Sequence, residues 1–226
     1  MKKIPQHIGI IMDGNRRWAR GRGLPTLKGH QAGYNKMKKV GDWCLARGVK
    51  ILTVYAFSTE NWNRSKREVN YLMKLLKKAL TDEVQEMHEK NIQVRVIGRI
   101  SQLGKDLQKA VRDAMELTKK NTKGIVNIAI NYGGRPELVD AFKVIVKKKA
   151  PVTEKTIAQH LYTSGMPDPD LIIRTSGEYR LSNFLTWQSS YSELLFIDKH
   201  WPDFSEKDLD DAIAEYQRRH RRFGGN

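Results

Sequence analysis

The chain has 226 residues, a single cysteine and a formal net charge of +16 at pH 7. One cysteine excludes disulfides within the chain and cysteine-rich metal sites, and no apolar run approaches the roughly 20 residues of a membrane span. The first residues lack the apolar core of a signal peptide, so we expect a cytoplasmic protein. The positive charge favours anionic partners, namely nucleic acid, acidic lipid or phosphorylated small molecules, without choosing among them.

The first predicted element is a short apolar strand that begins at Ile8 and stops at Asp13-Gly14, before a basic helix over residues 16–22. An apolar run bounded by a turn signal is typical of a buried strand. Ligands bind just beyond the carboxyl ends of strands in open α/β sheets, where Asp13 can hold a cation and Arg16 and Arg17 can clamp a phosphate. An ordinary Asp-Gly turn with a solvated helix face is equally compatible with this stretch.

The remaining elements alternate between strand and helix. Further strands are predicted at Lys50–Phe57, Gln93–Ile97, Val126–Ile130, Leu171–Arg174 and Leu194–Ile197. Helices are predicted at Gly29–Ala46, from Ser65 to about His88, and at Leu103–Thr118, Pro136–Val146, Thr153–Leu161 and Lys207–Arg219. This alternation predicts an α/β fold, with a mostly parallel six-stranded sheet flanked by helices in a single domain over residues 1–226.

Three loops that directly follow predicted strands are unusually polar. They are the opening Asp13–Arg17 stretch, the loop Ser58–Arg64 and the loop Thr175–Asn183. Arg174 ends a strand, and Arg180 and Ser182 follow within the next loop, a set that suits a multidentate phosphate site. An ordinary polar turn explains any one loop more simply. Three such loops on one sheet edge favour a shared pocket that binds an anion.

Several long strings resemble one protein family, the cis-prenyltransferases of undecaprenyl diphosphate synthase type. In chain order between His7 and Gly225 they are MDGNRRWA, FSTENWNR, NYGGR, IRTSGEYRLSNFLTWQ, SELLF, WPDF and RRFGG. The resemblance implies sequential condensation of isopentenyl diphosphate with an allylic diphosphate, usually farnesyl diphosphate, with Z geometry. The product is then a polyprenyl diphosphate that serves as a lipid-carrier precursor.

The family resemblance also implies the surroundings of the reaction. It implies a homodimer, Mg²⁺ as cofactor and an apolar tunnel for the growing chain, walled in part by the apolar stripe from Val69 to Met87. That stripe is otherwise ordinary core. A peripheral contact with the inner membrane surface, for product release, stays open, and no specific nucleic acid is expected.

Site residues follow from the resemblance by motif position. Asp13 is the key catalytic acid and, with Glu193, the metal ligand, and Asn61 matches the assigned proton acceptor. A carboxamide is a very weak base, so Asn61 is better suited to orient a hydrogen bond, with Ser58 or a diphosphate oxygen in the relay. The tail residues Arg222 and Gly224 reach toward the partner's active site. The substrate-binding positions are Gly14, Asn15, Arg16, Arg17, Trp18, Thr26, His30, Ser58, Thr59, Glu60, Trp62, Arg64, Arg174, Arg180, Leu181 and Ser182.

Two positions depart from the family's pattern. Many members carry arginine where this chain has Thr26, which puts one phosphate contact in doubt, and many bacterial members carry histidine where it has Tyr179.

Two other functions are alternatives to prenyl transfer. A non-catalytic partner subunit would tend to lose the acid and loop arginines that this chain keeps at Asp13, Arg174 and Arg180. A basic nucleic-acid-binding domain would fit the charge, but the chain has no recognised motif for it.

Overall fold

The structure, a computed structural model, describes residues 4–219. Within them six strands form one sheet in the spatial order β3-β4-β2-β1-β5-β6, and every neighbouring pair is parallel. The parallel six-stranded sheet expected from the sequence is therefore confirmed. The strands are β1 (His7–Ile11), β2 (Ile51–Ser58), β3 (Ile92–Ile97), β4 (Gly124–Tyr132), β5 (Leu171–Thr175) and β6 (Glu193–Ile197).

Eight α-helices lie between and after the strands of the described chain. They are α1 (Asn15–Arg20), α2 (Thr26–Ala46), α3 (Lys66–Thr81), α4 (Val84–Glu89), α5 (Lys105–Thr118), α6 (Gly134–Lys147), α7 (Glu154–His160) and α8 (Glu206–Arg218). Short 3₁₀ helices occupy Thr59–Asn63, Ile100–Gln102 and Trp201–Asp203. No helix of the described residues is long and apolar enough to cross a membrane.

The prediction of one long helix from Ser65 to about His88 is wrong, because the helix is interrupted between α3 and α4. The Thr81 hydroxyl donates to the Lys77 carbonyl, one turn back, at 3.0 Å, and this kind of bond bends helices. Asp82 and Glu83 follow, and negative side chains are unfavourable at the C-terminal end of a helix. The apolar periodicity continues across the break, which is why the sequence pattern did not reveal it.

The order of the strands places the three polar loops side by side. β1 lies between β2 and β5, and the polar loops are those that follow these three strands. The chain moves from β1 to one side of the sheet and later returns to add β5 on the other side. Such a reversal opens a crevice at the carboxyl ends of the strands, where α/β proteins bind ligands.

Two apolar layers hold the sheet. One face packs against α2, α3, α5 and α8 through a large cluster that includes Ile10, Val54 and Trp201. The other face packs against the chain after the third polar loop, where Phe184 and Leu185 are fully buried. Gly9 makes that contact close, because a Cβ there would lie 3.1 Å from the Phe184 ring.

Candidate active site

A cavity of about 1000 Å³ opens at the carboxyl ends of β1, β2 and β5. Its rim is polar and its interior is apolar. Thirteen of the predicted site residues line it: Asp13, Gly14, Asn15, Arg16, Arg17, His30, Ser58, Glu60, Asn61, Arg64, Arg174, Leu181 and Ser182. The structure thus brings the three polar loops around one space.

Asp13 lies at the centre of the rim and is bonded on both carboxylate oxygens. Oδ1 accepts the Gly14 backbone N–H at 2.6 Å, and Oδ2 accepts Arg174 at 2.9 Å, with Arg17 at 3.3 Å. Burial alone would raise the pKa of Asp13, but the hydrogen bonds from Arg174 and Gly14 and the nearby positive charges hold it below its usual value. Asp13 is therefore an ionised carboxylate at neutral pH, held between two guanidinium groups.

Close backbone approach fixes the first loop. Gly14 has φ +95°, and a Cβ there would lie 2.4 Å from the Ser176 hydroxyl oxygen, so only glycine fits this turn. Asn15 is packed against α2, where a Cβ on Gly33 would lie 2.2 Å from its Oδ1 atom. Gly33 is absent from the predicted site residues; its signal in the sequence is the four-residue spacing from Gly29, another close contact of α2 with this loop.

The second loop is a turn of 3₁₀ helix that is closed by two hydrogen bonds between Ser58 and Asn61. The Ser58 backbone N–H donates to Asn61 Oδ1 at 3.1 Å, and the Ser58 side chain accepts from the Asn61 backbone. The Oδ1 atom of Asn61 is therefore already an acceptor within the loop. Trp62 does not line the cavity, and its indole N–H donates to Asn131 Oδ1 at 2.8 Å.

Glu68 is a component of the site that is absent from the predicted site residues. It is 6% exposed and accepts from His30 at 2.9 Å and from Arg64 at 3.0 Å, with Arg16 at 3.9 Å. Burial would raise the pKa of Glu68, but His30 and the two arginines lower it. Glu68 does not line the cavity. It positions three side chains that do, those of His30, Arg64 and Arg16.

Arg174 organises the third loop from the end of β5. It is 4% exposed, donates to the Ser182 hydroxyl at 2.8 Å and also bonds the Arg180 backbone carbonyl. The Arg180 guanidinium instead pairs with Glu178 at 2.5 Å, away from the cavity lining. Glu178 also pairs with Arg17 at 2.7 Å, which joins the third loop to the first.

Besides Arg180, five predicted site residues lie outside the cavity lining, and Glu193 is one of them. Glu193 is the most distant in topology: it begins β6 and pairs with Leu171 at the amino end of β5, whereas Asp13 lies beyond the carboxyl end of β1. Its carboxylate bonds Arg219 at 2.9 Å. Within residues 4–219 no group of three or more histidine, cysteine or acidic side chains forms a metal cluster. The other four are Trp18, Thr26, Thr59 and Trp62; Arg222 and Gly224 lie outside the described residues.

A family model described as "Putative undecaprenyl diphosphate synthase" matches residues 11–224. The chain belongs to the undecaprenyl diphosphate synthase family. It is a prenyltransferase, as the resemblance of its sequence motifs to this family predicts. The relatives give no support to a nucleic-acid-binding or partner-subunit interpretation.

Two curated relatives match almost the whole chain. The Micrococcus luteus protein named ditrans,polycis-undecaprenyl-diphosphate synthase ((2E,6E)-farnesyl-diphosphate specific) is 50% identical, over 99% of this chain and 92% of its own length. An isoprenyl transferase of Thermotoga maritima is 49% identical, over 99% of this chain and 98% of its own. The family assignment therefore rests on full-length similarity rather than on isolated motifs.

Two solved structures have the same fold. Lavandulyl diphosphate synthase from Lavandula x intermedia, in complex with dimethylallyl diphosphate, superposes with a TM-score of 0.94 at 40% identity, covering 98% of this chain and 99% of that one. A probable undecaprenyl diphosphate synthase from Campylobacter jejuni gives 0.84 at 32% identity, covering both chains fully. In this member of the family the cavity interior is walled by α2, α3 and the sheet, through Met37, Leu72, Leu75, Leu76, Ala79, Leu80, Ile128 and Ile130.

Proposed function

We propose that the protein joins isopentenyl diphosphate to an allylic diphosphate with Z geometry and repeats the step to make a polyprenyl diphosphate. One observation carries this proposal: two guanidinium groups of the same cavity, one after β1 and one at the end of β5, each keep a buried Nε–H that makes no hydrogen bond within residues 4–219. They belong to Arg16, whose Nε lies 3.9 Å from Glu68 Oε1, and to Arg174. Buried donors are normally paired, and guanidinium donors match phosphate oxygens in geometry and charge. The apolar interior behind them suits a hydrocarbon chain.

The allylic diphosphate is assigned to the first loop. Arg16, Arg17 and Arg64 line the rim beside Asp13, and Glu68 orients Arg16 and Arg64. The relatives support farnesyl diphosphate as the primer, since the Micrococcus luteus protein is named as specific for it. The dimethylallyl complex of the lavender enzyme makes a shorter primer the alternative.

Isopentenyl diphosphate is assigned to the third loop, with Arg174 and Ser182 as its ligands. The Arg180 side chain pairs with Glu178 through one of its nitrogens and does not line the cavity, so it must reorient to join them. The condensation must stabilise the diphosphate that leaves the allylic carbon and must remove a proton from the isopentenyl unit. Because Asn61 Oδ1 already accepts from Ser58, we assign Asn61 to shaping the loop and the proton relay to the Ser58 hydroxyl or a diphosphate oxygen.

Mg²⁺ is the proposed cofactor, and the site fits it. Magnesium is usually bound through one or two carboxylates plus substrate phosphates rather than by an all-protein cage, and Asp13 provides one carboxylate beside the cationic rim. When bound, Mg²⁺ neutralises charge on the leaving diphosphate. Glu193 lies at the other end of the sheet from Asp13 in the same chain, so a metal role for it requires a second copy.

A homodimer is proposed from two apolar surfaces. β6 is an edge strand whose residues from Leu194 to Ile197 are apolar and only partly buried. On α6, Val139, Phe142 and Val146 are 49%, 39% and 69% exposed. Apolar edge strands and contiguous apolar surfaces are commonly covered by a partner. Sedimentation equilibrium tests this proposal, and a monomer at micromolar concentration would contradict it.

Peripheral contact with the inner membrane surface stays a prediction. Flotation of the protein with and without vesicles that contain acidic lipid tests it. Binding that requires the vesicles supports the contact, and absence of the protein from the floating fraction contradicts it. The single domain over residues 1–226 and the cytoplasmic location also stay predictions.

The central test is product formation. The protein is incubated with radiolabelled isopentenyl diphosphate, Mg²⁺ and, in separate reactions, farnesyl, geranyl or dimethylallyl diphosphate. We expect apolar products longer than the primer, sized by chromatography, with Z double bonds at the added units. Folded protein that makes no product from any primer would contradict the proposed function.

A further inference from the structure

Asn183 connects the third loop to two other parts of the site. Its Oδ1 accepts the Arg135 backbone N–H at 2.8 Å, and its carbonyl accepts the Gly134 N–H at 2.7 Å, both in the first turn of α6. Its amide donates to Glu60 Oε1, in the second loop, at 3.1 Å. One side chain therefore ties together the second loop, the third loop and the start of α6.

The backbone around Asn183 is held in an unfavourable conformation. Ser182, Asn183 and Leu185 have φ values of 48°, 68° and 44°, in the left-handed region that residues with a Cβ seldom adopt. Such conformations persist where surrounding contacts determine them, and they cluster at functional sites. Here Phe184 and Leu185 are fully buried on the sheet, while Asn183 bonds α6.

The two glycines of the NYGGR string form the seat for this loop. A Cβ on Gly133 would lie 2.7 Å from Asn183 Nδ2, and one on Gly134 would lie 2.2 Å from the Thr186 hydroxyl oxygen. Side chains at these positions would push the third loop away from α6. The NYGGR string, to which the proposed substrate contacts give no role, is thereby explained as the support of the loop.

Ser182 is the neighbour through which this support reaches the substrate site. Its hydroxyl accepts from Arg174 at 2.8 Å, and its carbonyl accepts from the Tyr55 hydroxyl at 3.3 Å. We propose that Asn183 is a positioning residue that fixes Ser182 and Arg174 relative to the Glu60 loop and so sets the isopentenyl diphosphate subsite. This inference rests on the proposed function and adds a residue to it.

The substitution Asn183→Asp separates the two kinds of contact. It keeps an acceptor for the Arg135 N–H and a side chain that tolerates the left-handed backbone, but it places a carboxylate against Glu60. We expect the KM for isopentenyl diphosphate to rise roughly tenfold, the effect of losing one such hydrogen bond and adding like-charge repulsion. The KM for the allylic diphosphate should change less than twofold, because Asn183 bonds none of the arginines of the first loop.

A compensating change identifies the Glu60 contact. In the double variant Asn183→Asp with Glu60→Gln, the donor and acceptor are exchanged, so the hydrogen bond is restored. We expect kcat/KM of the double variant to be at least fivefold higher than that of Asn183→Asp. It should also exceed the value expected if the two single changes acted independently. Ser190→Asp is the matched control, since Ser190 is exposed and its hydroxyl donates to the nearby Trp187 carbonyl; it should leave both KM values unchanged.

The outcomes separate the two proposals. Wild-type protein without product contradicts the proposed function. Active wild type with an Asn183→Asp variant that keeps its KM for isopentenyl diphosphate, or with no recovery in the double variant, overturns the positioning role. If Asn183→Asp does not fold by circular dichroism, Asn183→Gly is measured instead. Glycine accepts the backbone conformation but loses both side-chain bonds, so an unchanged KM in that variant would also overturn the proposal.

Discussion

The two ends of the sheet both bury polar side chains, but in opposite electrostatic states. At the amino end His7 is neutral and fully engaged: Nδ1–H donates to the Pro167 carbonyl at 2.8 Å, and Nε2 accepts from Thr53 at 2.7 Å. At the carboxyl end Asp13 is an ionised carboxylate between arginines, and Arg16 and Arg174 each keep a buried N–H that makes no hydrogen bond with any described residue. The amino end therefore contributes to stability, whereas the carboxyl end keeps binding capacity for a ligand.

The largest effect is expected at the centre of the carboxyl end. Asp13→Asn keeps the shape of the side chain but removes its charge, so the turnover rate should fall by at least about 10²–10³-fold, as for loss of one strong electrostatic contact in an active site. Single-turnover measurements with farnesyl and isopentenyl diphosphate check this. His7→Gln, at the amino end, is the control and should keep its turnover rate within about twofold. A similar loss of rate in both variants would contradict the division between the two ends.

A smaller effect is expected from Glu68, which acts through its neighbours. Glu68→Gln removes the charge that holds His30 and Arg64, so the Kd for farnesyl diphosphate should rise about tenfold, and the free energy of unfolding should fall by about 1–3 kcal/mol. Titration calorimetry and urea denaturation measure the two quantities. The exposed Glu89→Gln is a matched control in α4, and both quantities should stay as in the wild type. Unchanged affinity in Glu68→Gln would show that the arginines are positioned without it.

The sequence predicted the position of the site, at the carboxyl ends of the strands, better than the contacts that organise it. Turn signals after apolar runs located the three polar loops, because strand ends and polar density are local properties. Glu68 is absent from the predicted site residues because two of its partners, His30 and Arg16, are distant in sequence and its local pattern is that of a helix cap. The predicted strand Leu194–Ile197 already put Glu193 at the amino end of β6, but the metal role of Glu193 came from motif resemblance, which does not take the two ends of the sheet into account.

The pH dependence of stability is a smaller effect, to which a buried histidine at each end of the sheet contributes with the same sign. Burial lowers the pKa of His7, against the Pro167 hydrogen bond, which raises it. Burial also lowers the pKa of His30, against its bond with Glu68 and together with the charges of Arg64 and Arg16. Below the ordinary histidine pKa of about 6.5 the unfolded chain binds more protons than the folded chain, so stability should fall as the pH decreases.

The expected slope is at most about 1.4 kcal/mol per pH unit for each histidine. Urea denaturation between pH 7 and pH 5 measures it, and His7→Gln should reduce the slope without changing the affinity for farnesyl diphosphate. A slope that His7→Gln leaves unchanged would mean that His7 is not kept neutral by the fold.

The smallest expected effect on rate concerns the apolar interior behind the charged rim. Ala79 lines this interior on α3, and Ala79→Leu would fill space there without touching the rim. The first condensation should keep its rate, while the mean product should shorten by roughly one isoprene unit, since packed interiors respond to the volume of a few carbon atoms. Product chromatography with farnesyl diphosphate checks this, with the exposed Lys74→Leu on α3 as control. If product length is unchanged while the rate falls, the interior at Ala79 is part of the core and does not hold the growing chain.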